Sequence, residues 1–145
     1  MPRLRPPALS APLHILIVDD QPRARQSLHA LLSTWPPAGD VREAADGREA
    51  LRLVSARPPD VVLMDVRMPG MDGLSATRLI KARWPQVRVV VLTLYGEYEA
   101  PALAAGADAF IGKGEPADRL LAALSALTAG GQRQGAGAVP ARRLR

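Results

Sequence analysis

Cysteine is absent from this 145-residue chain, and aromatic residues make up only 3% of it. The first absence excludes a disulfide frame, a thiolate metal site and a cysteine nucleophile. The second means that aliphatic side chains must fill any core, and a hydrophobic content of 48% is enough for one. Long apolar runs are also missing. The longest span a few residues, far short of the roughly 20 needed to cross a bilayer. Arg3 and Arg5 precede the apolar run Ile15–Val18, but that run ends at once in Asp19–Asp20, too short for a signal-peptide core. A cytoplasmic protein of one ordinary domain is expected.

The net charge of +5 comes from the ends. Residues 13–129 hold all 14 acidic residues and 13 of the 19 Lys and Arg, a balance of −1. Arg3, Arg5, Arg133, Arg142, Arg143 and Arg145 supply the remaining +6. Residues 1–12 are rich in Pro and Arg and lack periodicity, and residues 130–145 are rich in Gly, Ala and Arg. They read as a disordered N-terminal extension and a disordered basic tail or linker around a folded body at 13–129. Basic ends of this kind would touch nucleic acid weakly and without regard to sequence, so DNA binding by this chain alone is not expected.

Within the body, short apolar runs alternate with helical patterns. Ile15–Val18, Val61–Met64 and Val87–Leu92 read as strands buried on both faces, and Val41–Ala44 as a weaker one. A last short strand leads to Ile111 and Lys113. Pro22 suits a helix start, and Ala24, Leu28, Leu31, Leu32 and Trp35 share one helical face before Pro36–Pro37. Further helices are expected over Gly47–Ala56 with Ala50, Leu51 and Val54 inward, and from about Gly73 to Arg83. A short one starts near Ala100 or Pro101 and is capped by Gly106. The last runs over about Pro116 to Ala129 and buries Leu120, Leu121, Leu124 and Leu127. Five such βα units predict an α/β fold with a five-stranded parallel sheet covered by helices on both faces.

In parallel sheets ligands bind beyond the carboxyl ends of the strands. The strand ends here carry Asp19–Asp20, Asp65, Thr93 and, after the last strand, Lys113. Three converging carboxylates repel one another unless a cation joins them, and an all-oxygen set with room for water suits Mg2+. Each residue alone has an ordinary reading: an Asp as a helix cap, Asp65 before an irregular turn, Thr93 bonding its own backbone, Lys113 in a solvated loop. Their occurrence at four strand ends is what those readings do not predict.

The segments ILIVDD, VVLMDVRMPGMDG, VVVLT and GADAFIGKGEP, in that order, resemble the receiver domain of bacterial two-component response regulators, nearest the subclass that carries a NarL/LuxR-type output domain. The likeness covers nearly all of residues 13–129. It implies a flavodoxin-like (βα)5 fold with strand order 2-1-3-4-5 and a phosphoacceptor, Asp65, charged by a histidine kinase. It further implies Mg2+ held by Asp20, Asp65 and the backbone carbonyl of Arg67, with Asp19 acting through water. Thr93 would bond the acyl phosphate, Lys113 would pair with its oxygens, and Phe110 would be the aromatic switch that moves with Thr93. The domain would then signal to an unknown downstream protein.

Leu94 and then Tyr95 follow Thr93, whereas many members of the family place a small residue directly after the Thr. Leu94 could narrow access to Asp65, while Tyr95 and Arg67 could shield a phosphoryl group from water. The alternative is that Leu94 and Tyr95 point to solvent or pack on the next helix. The Thr93–Lys113 spacing is short for the family, which puts its usual dimer in question, although a homodimer stays open. About sixteen residues follow the last helix, too few for a helix-turn-helix. The competing readings are a phosphorylation-independent interaction module, a receiver fragment of a DNA-binding regulator, and a Mg2+-dependent hydrolase. The last lacks a general acid or base near Asp65, since His14 and His29 fall elsewhere.

Overall fold

The computed structural model describes residues 11–129. The expected terminal extension and basic tail therefore fall outside the described residues, apart from positions 11 and 12. Five strands and five helices alternate: β1 Leu13–Val18, α1 Pro22–Leu32, β2 Ala38–Ala44, α2 Gly47–Ala56, β3 Val61–Met64, α3 Gly73–Arg83, β4 Arg88–Thr93, α4 Glu99–Ala104, β5 Ala109–Gly112 and α5 Ala117–Thr128. A 3-10 turn, Gly96–Tyr98, precedes α4. The strands pair in parallel in the order β2-β1-β3-β4-β5, which is the expected fold.

Alternate residues of each central strand feed two separate cores, because successive side chains point to opposite faces of a sheet. Ile15, Ile17, Val61, Leu63, Val90, Leu92 and Ile111 pack with Leu32 and Trp35 from the α1 side and Leu120, Ala123 and Leu124 of α5. Leu16, Val18, Val62, Met64, Val89 and Val91 pack with Ala50 and Val54 of α2, Ala76 and Ile80 of α3 and Ala102 of α4. Strands buried on both faces have no polar alternation, which is why they read as continuous aliphatic runs. Among the described residues, no helix is long and apolar enough to cross a membrane.

The boundaries shift where backbone hydrogen bonds rather than hydropathy decide them. β2 begins at Ala38, three residues before Val41, since this edge strand pairs Ala38 with Leu13 across an irregularity in register. β4 starts one residue late because the Val87 N–H is already committed to the Trp84 carbonyl (2.9 Å). α4 starts at Glu99 and has six residues. Pro101 falls in its first turn, where a missing N–H costs no helical bond. Gly106 ends that segment with φ +104, a left-handed conformation that suits glycine. Leu28, Leu31, Leu51, Leu121 and Leu127 face the cores but stay only partly buried.

Candidate functional site

β1, β3, β4 and β5 run side by side, so the residues just past their carboxyl ends arrive at one edge. Asp19, Asp20 and Asp65 each offer a carboxylate oxygen within 4.8 Å of the others. Lys113 reaches in from the loop after β5, its Nζ 2.7 Å from Asp19 Oδ2 and 3.7 Å from Asp65 Oδ2. Thr93 is buried at the end of β4, where its carbonyl accepts the Lys113 N–H (2.8 Å) and its hydroxyl oxygen accepts the Tyr95 N–H (3.3 Å). The sheet thus assembles the five residues from the strand ends.

Asp19 is the most constrained of the three acids. Its N–H donates to the Ala44 carbonyl (3.1 Å), Oδ1 accepts the Gln21 N–H (2.9 Å) and Oδ2 takes Lys113. Neither aspartate caps α1; Gln21 occupies the N-cap without a side-chain bond and Pro22 opens the helix. Asp65 is 8% exposed, its Oδ1 accepting the Val66 N–H (2.9 Å). Burial, then the negative charge of Asp19, raises its pKa from 3.8 to about 6; Lys113 and the Val66 N–H oppose the rise, and Asp20 adds to it slightly.

The remaining expected residues sit around this centre rather than in it. Arg67 is exposed and lays its guanidinium over the Tyr95 ring, 4.5 Å from the centroid. Tyr95 in turn meets Tyr98 edge to face at 6.3 Å. Leu94 is 67% exposed and leans into solvent. Phe110, on β5 opposite Val91, packs partly buried against the α2/α3/α4 core. His14 lies at the opposite edge of the sheet, where its N–H donates to Asp60 (2.8 Å).

Two further residues shape the site: Gly73, the last residue of the VVLMDVRMPGMDG segment, and Arg25, which belongs to no motif. Gly73 opens α3 directly behind Asp65, so that a Cβ there would lie on the Asp65 carbonyl oxygen and 2.8 Å from its carbonyl carbon. Arg25 donates from Nη1 to the Asp19 carbonyl (2.6 Å) and from Nε to Glu43 (3.0 Å). The signal for Gly73 is its place one residue after the N-cap Asp72; for Arg25 there is none beyond its helical face.

The raised pKa of Asp65 has a consequence for stability. Below about pH 4 the carboxyl is protonated in both folded and unfolded chains. Between about 4 and 6 only the folded chain keeps the proton, so stability falls as pH rises through that window and the penalty is complete above it. Asp65→Asn should therefore raise stability at neutral pH by on the order of 1–3 kcal/mol in the presence of a chelator. Thermal unfolding at about pH 7.5 and about pH 4 checks this; the gain should shrink at the lower pH.

A parallel sheet covered by helices on both faces, with three aspartates, a threonine and a lysine gathered at its carboxyl edge, defines a doubly wound α/β domain. Within that class, the family model described as the response regulator receiver domain matches residues 15–125, and the chain belongs to that family. Its relatives include response regulators of the NarL/LuxR type. NarL, the nitrate/nitrite response regulator of Escherichia coli K12, is 34% identical over 82% of this chain and 56% of its own length. The uncharacterized transcriptional regulatory protein YhcZ of Bacillus subtilis is 40% identical over 68% of this chain and 47% of its own. The chain thus spans about half the length of the curated relatives it matches. A LuxR-family two-component response regulator from Aurantimonas sp. SI85-9A1 superposes with a TM-score of 0.78 at 34% identity, covering 83% of this chain and 87% of that one. CheY of Borrelia burgdorferi, from the structure of a CheX–CheY–BeF3–Mg2+ complex, gives 0.75 at 26% identity over 81% and 90%.

Proposed function

We propose that the domain is a phosphoacceptor of a two-component relay, taking a phosphoryl group from a histidine kinase onto Asp65. The single observation that carries this is the placement of a buried carboxylate, Asp65, beside Asp19 and Asp20 and within 3.7 Å of Lys113. Oδ1 of Asp65 is engaged by Val66, which leaves Oδ2, on the Lys113 side, as the nucleophile. Attack of that oxygen on phosphorus would form the acyl phosphate as the phosphorus–nitrogen bond of the phosphohistidine breaks and the leaving imidazole takes up a proton. Lys113 would neutralise charge on the equatorial oxygens, and the Thr93 hydroxyl would donate to one of them.

Three carboxylates against one lysine leave the cluster strongly negative, and oxygen donors alone fit a hard divalent cation. Asp20, Asp65 and the Arg67 carbonyl would hold Mg2+, with Asp19 acting through water. Support comes from Asp20, whose carboxylate has no side-chain partner among the described residues, while the Asp19 carboxylate is fully committed. When bound, the cation would draw charge away from the transferring group. Thr93 and Phe110 would carry the change onward: Phe110 is paired in register beside β4 on the α4 face, so a shift of Thr93 toward the phosphoryl group opens space that the ring can enter. A downstream protein would read that face.

Incubation with 32P-labelled acetyl phosphate and Mg2+ should label the chain, and hydroxylamine should release the label, as it does from an acyl phosphate. A hydroxylamine-resistant label would contradict this reading. Tyr95, stacked under Arg67, would screen the acyl phosphate from water. Tyr95→Ala should shorten its lifetime severalfold, on the scale of about 1 kcal/mol for a lost cation–π contact and the water it excludes. The decay of labelled protein after donor removal measures it; an unchanged lifetime would remove Tyr95 from the site.

A further inference from the structure

Every polar group of Asp19 has a partner, but its neighbour does not. The Asp20 carboxylate has no hydrogen bond or ion pair to a side chain among the described residues, so its position is set by the backbone that carries it. That backbone begins with the Asp19–Asp20 peptide. The carbonyl of this peptide accepts from Arg25 Nη1 at 2.6 Å, a short, charge-assisted bond. Arg25 sits on the first turn of α1 and is itself fixed by Glu43 of β2, whose Oε1 accepts from Nε at 3.0 Å. Its own N–H continues the helix to the Gln21 carbonyl (3.1 Å). The guanidinium therefore ties the loop after β1 to the edge strand β2 by two bonds in a rigid fork.

We infer that Arg25, held by Glu43, is a positioning residue that fixes the Asp19–Asp20 peptide and so aims the Asp20 carboxylate at the divalent cation. The inference rests on the metal site proposed above. Arg25 touches neither the cation nor the phosphoryl group. It acts by limiting rotation of one peptide plane, in the way that outer partners of a metal ligand commonly set affinity by about 10–100-fold. With the guanidinium gone, the Asp19–Asp20 peptide loses the bond to its carbonyl and gains freedom that Asp20 must give up each time the cation binds, although the Asp19 N–H and carboxylate keep their partners. Glu43 is the weaker half of the clamp, because Arg25 keeps its bond to the carbonyl when the partner is neutral.

The test is a calorimetric titration of the full chain with MgCl2, beside thermal unfolding in chelator and 15N amide spectra. Arg25→Gln should weaken Mg2+ binding about tenfold, while Glu43→Gln, on the exposed edge strand, should weaken it about two- to threefold. The Asp20 and Gln21 amide resonances should shift in both variants and that of Val89, remote from the clamp, should not. Arg23→Gln, exposed on the same turn, should behave as wild type. Should Arg25→Gln fail to fold, the Glu43→Gln titration and amide shifts decide alone. Wild-type Mg2+ affinity in a folded Arg25→Gln or in Glu43→Gln would overturn the inference and leave the metal site standing. Wild-type protein that binds no Mg2+ would overturn both.

Discussion

Alanine at position 73 is expected to cost about 3 kcal/mol of folding stability, the upper end of what overpacking in a rigid place does, and to push Asp65 out of line. The glycine has no unusual φ, so the reason is contact alone. Its Cβ would collide with the Asp65 carbonyl oxygen, sit 2.8 Å from the carbonyl carbon and 3.0 Å from Met64 Cγ. Backbone on both sides prevents an easy escape: the Gly73 N–H donates to the Val66 carbonyl (2.8 Å), and the Asp65 N–H donates to the Val18 carbonyl (2.9 Å). Either α3 moves outward or the end of β3 moves inward, and the second displaces Asp65. Urea unfolding measures the first effect and acetyl phosphate labelling the second. Gly114→Ala provides the contrast, since nothing lies within 4 Å of a Cβ there; it should be close to neutral in stability. A Gly73→Ala protein with wild-type stability would contradict the close packing of α3 on Asp65.

Lys113→Met should have the second large effect. Asp19 is 1% exposed and gives Oδ2 to Lys113 alone. Removing the cation leaves a buried charge without its partner, which costs about 3 kcal/mol when the pair is well desolvated. Asp65 loses one of the two influences that hold its pKa down, so its proton is retained to higher pH. Labelling should slow about a hundredfold or more, the usual loss when one charge-stabilising donor is removed. The variant should also depend on Mg2+ for folding, because a cation at the cluster would restore part of the missing positive charge. Thermal unfolding with and without Mg2+ reads this directly. A variant whose stability ignores Mg2+ would argue against a shared acidic site.

What the sequence shows of this protein depends on how local the cause is. Strands such as Ile15–Val18 and Val61–Met64 are legible because both their faces are buried, and the residues that end them inherit their positions from the sheet. Asp19, Asp20, Asp65, Thr93 and Lys113 are therefore found from their places at or just past the strand ends. The start of β2 is hidden, since Ala38–Asp40 joins the sheet by edge pairing and carries no apolar run. Arg25 is hidden for a different reason, and Gly73, although it closes the VVLMDVRMPGMDG segment, shows nothing of its steric role there. Their work is a close approach or a long reach to a backbone atom of another element, and neither leaves a periodic trace. The stacking of Arg67 on Tyr95 lies between these cases: both residues flag themselves by their distance from Asp65 and Thr93, yet their contact is visible only in three dimensions.

Intact-mass analysis after incubation with acetyl phosphate tests the central claim most directly, run with Mg2+, with chelator, and with Asp65→Asn. One labile phosphoryl adduct, present only with Mg2+ and only on the chain that retains Asp65, is the predicted result. An adduct that forms equally on Asp65→Asn, or no adduct on a chain that binds Mg2+ normally, would contradict it.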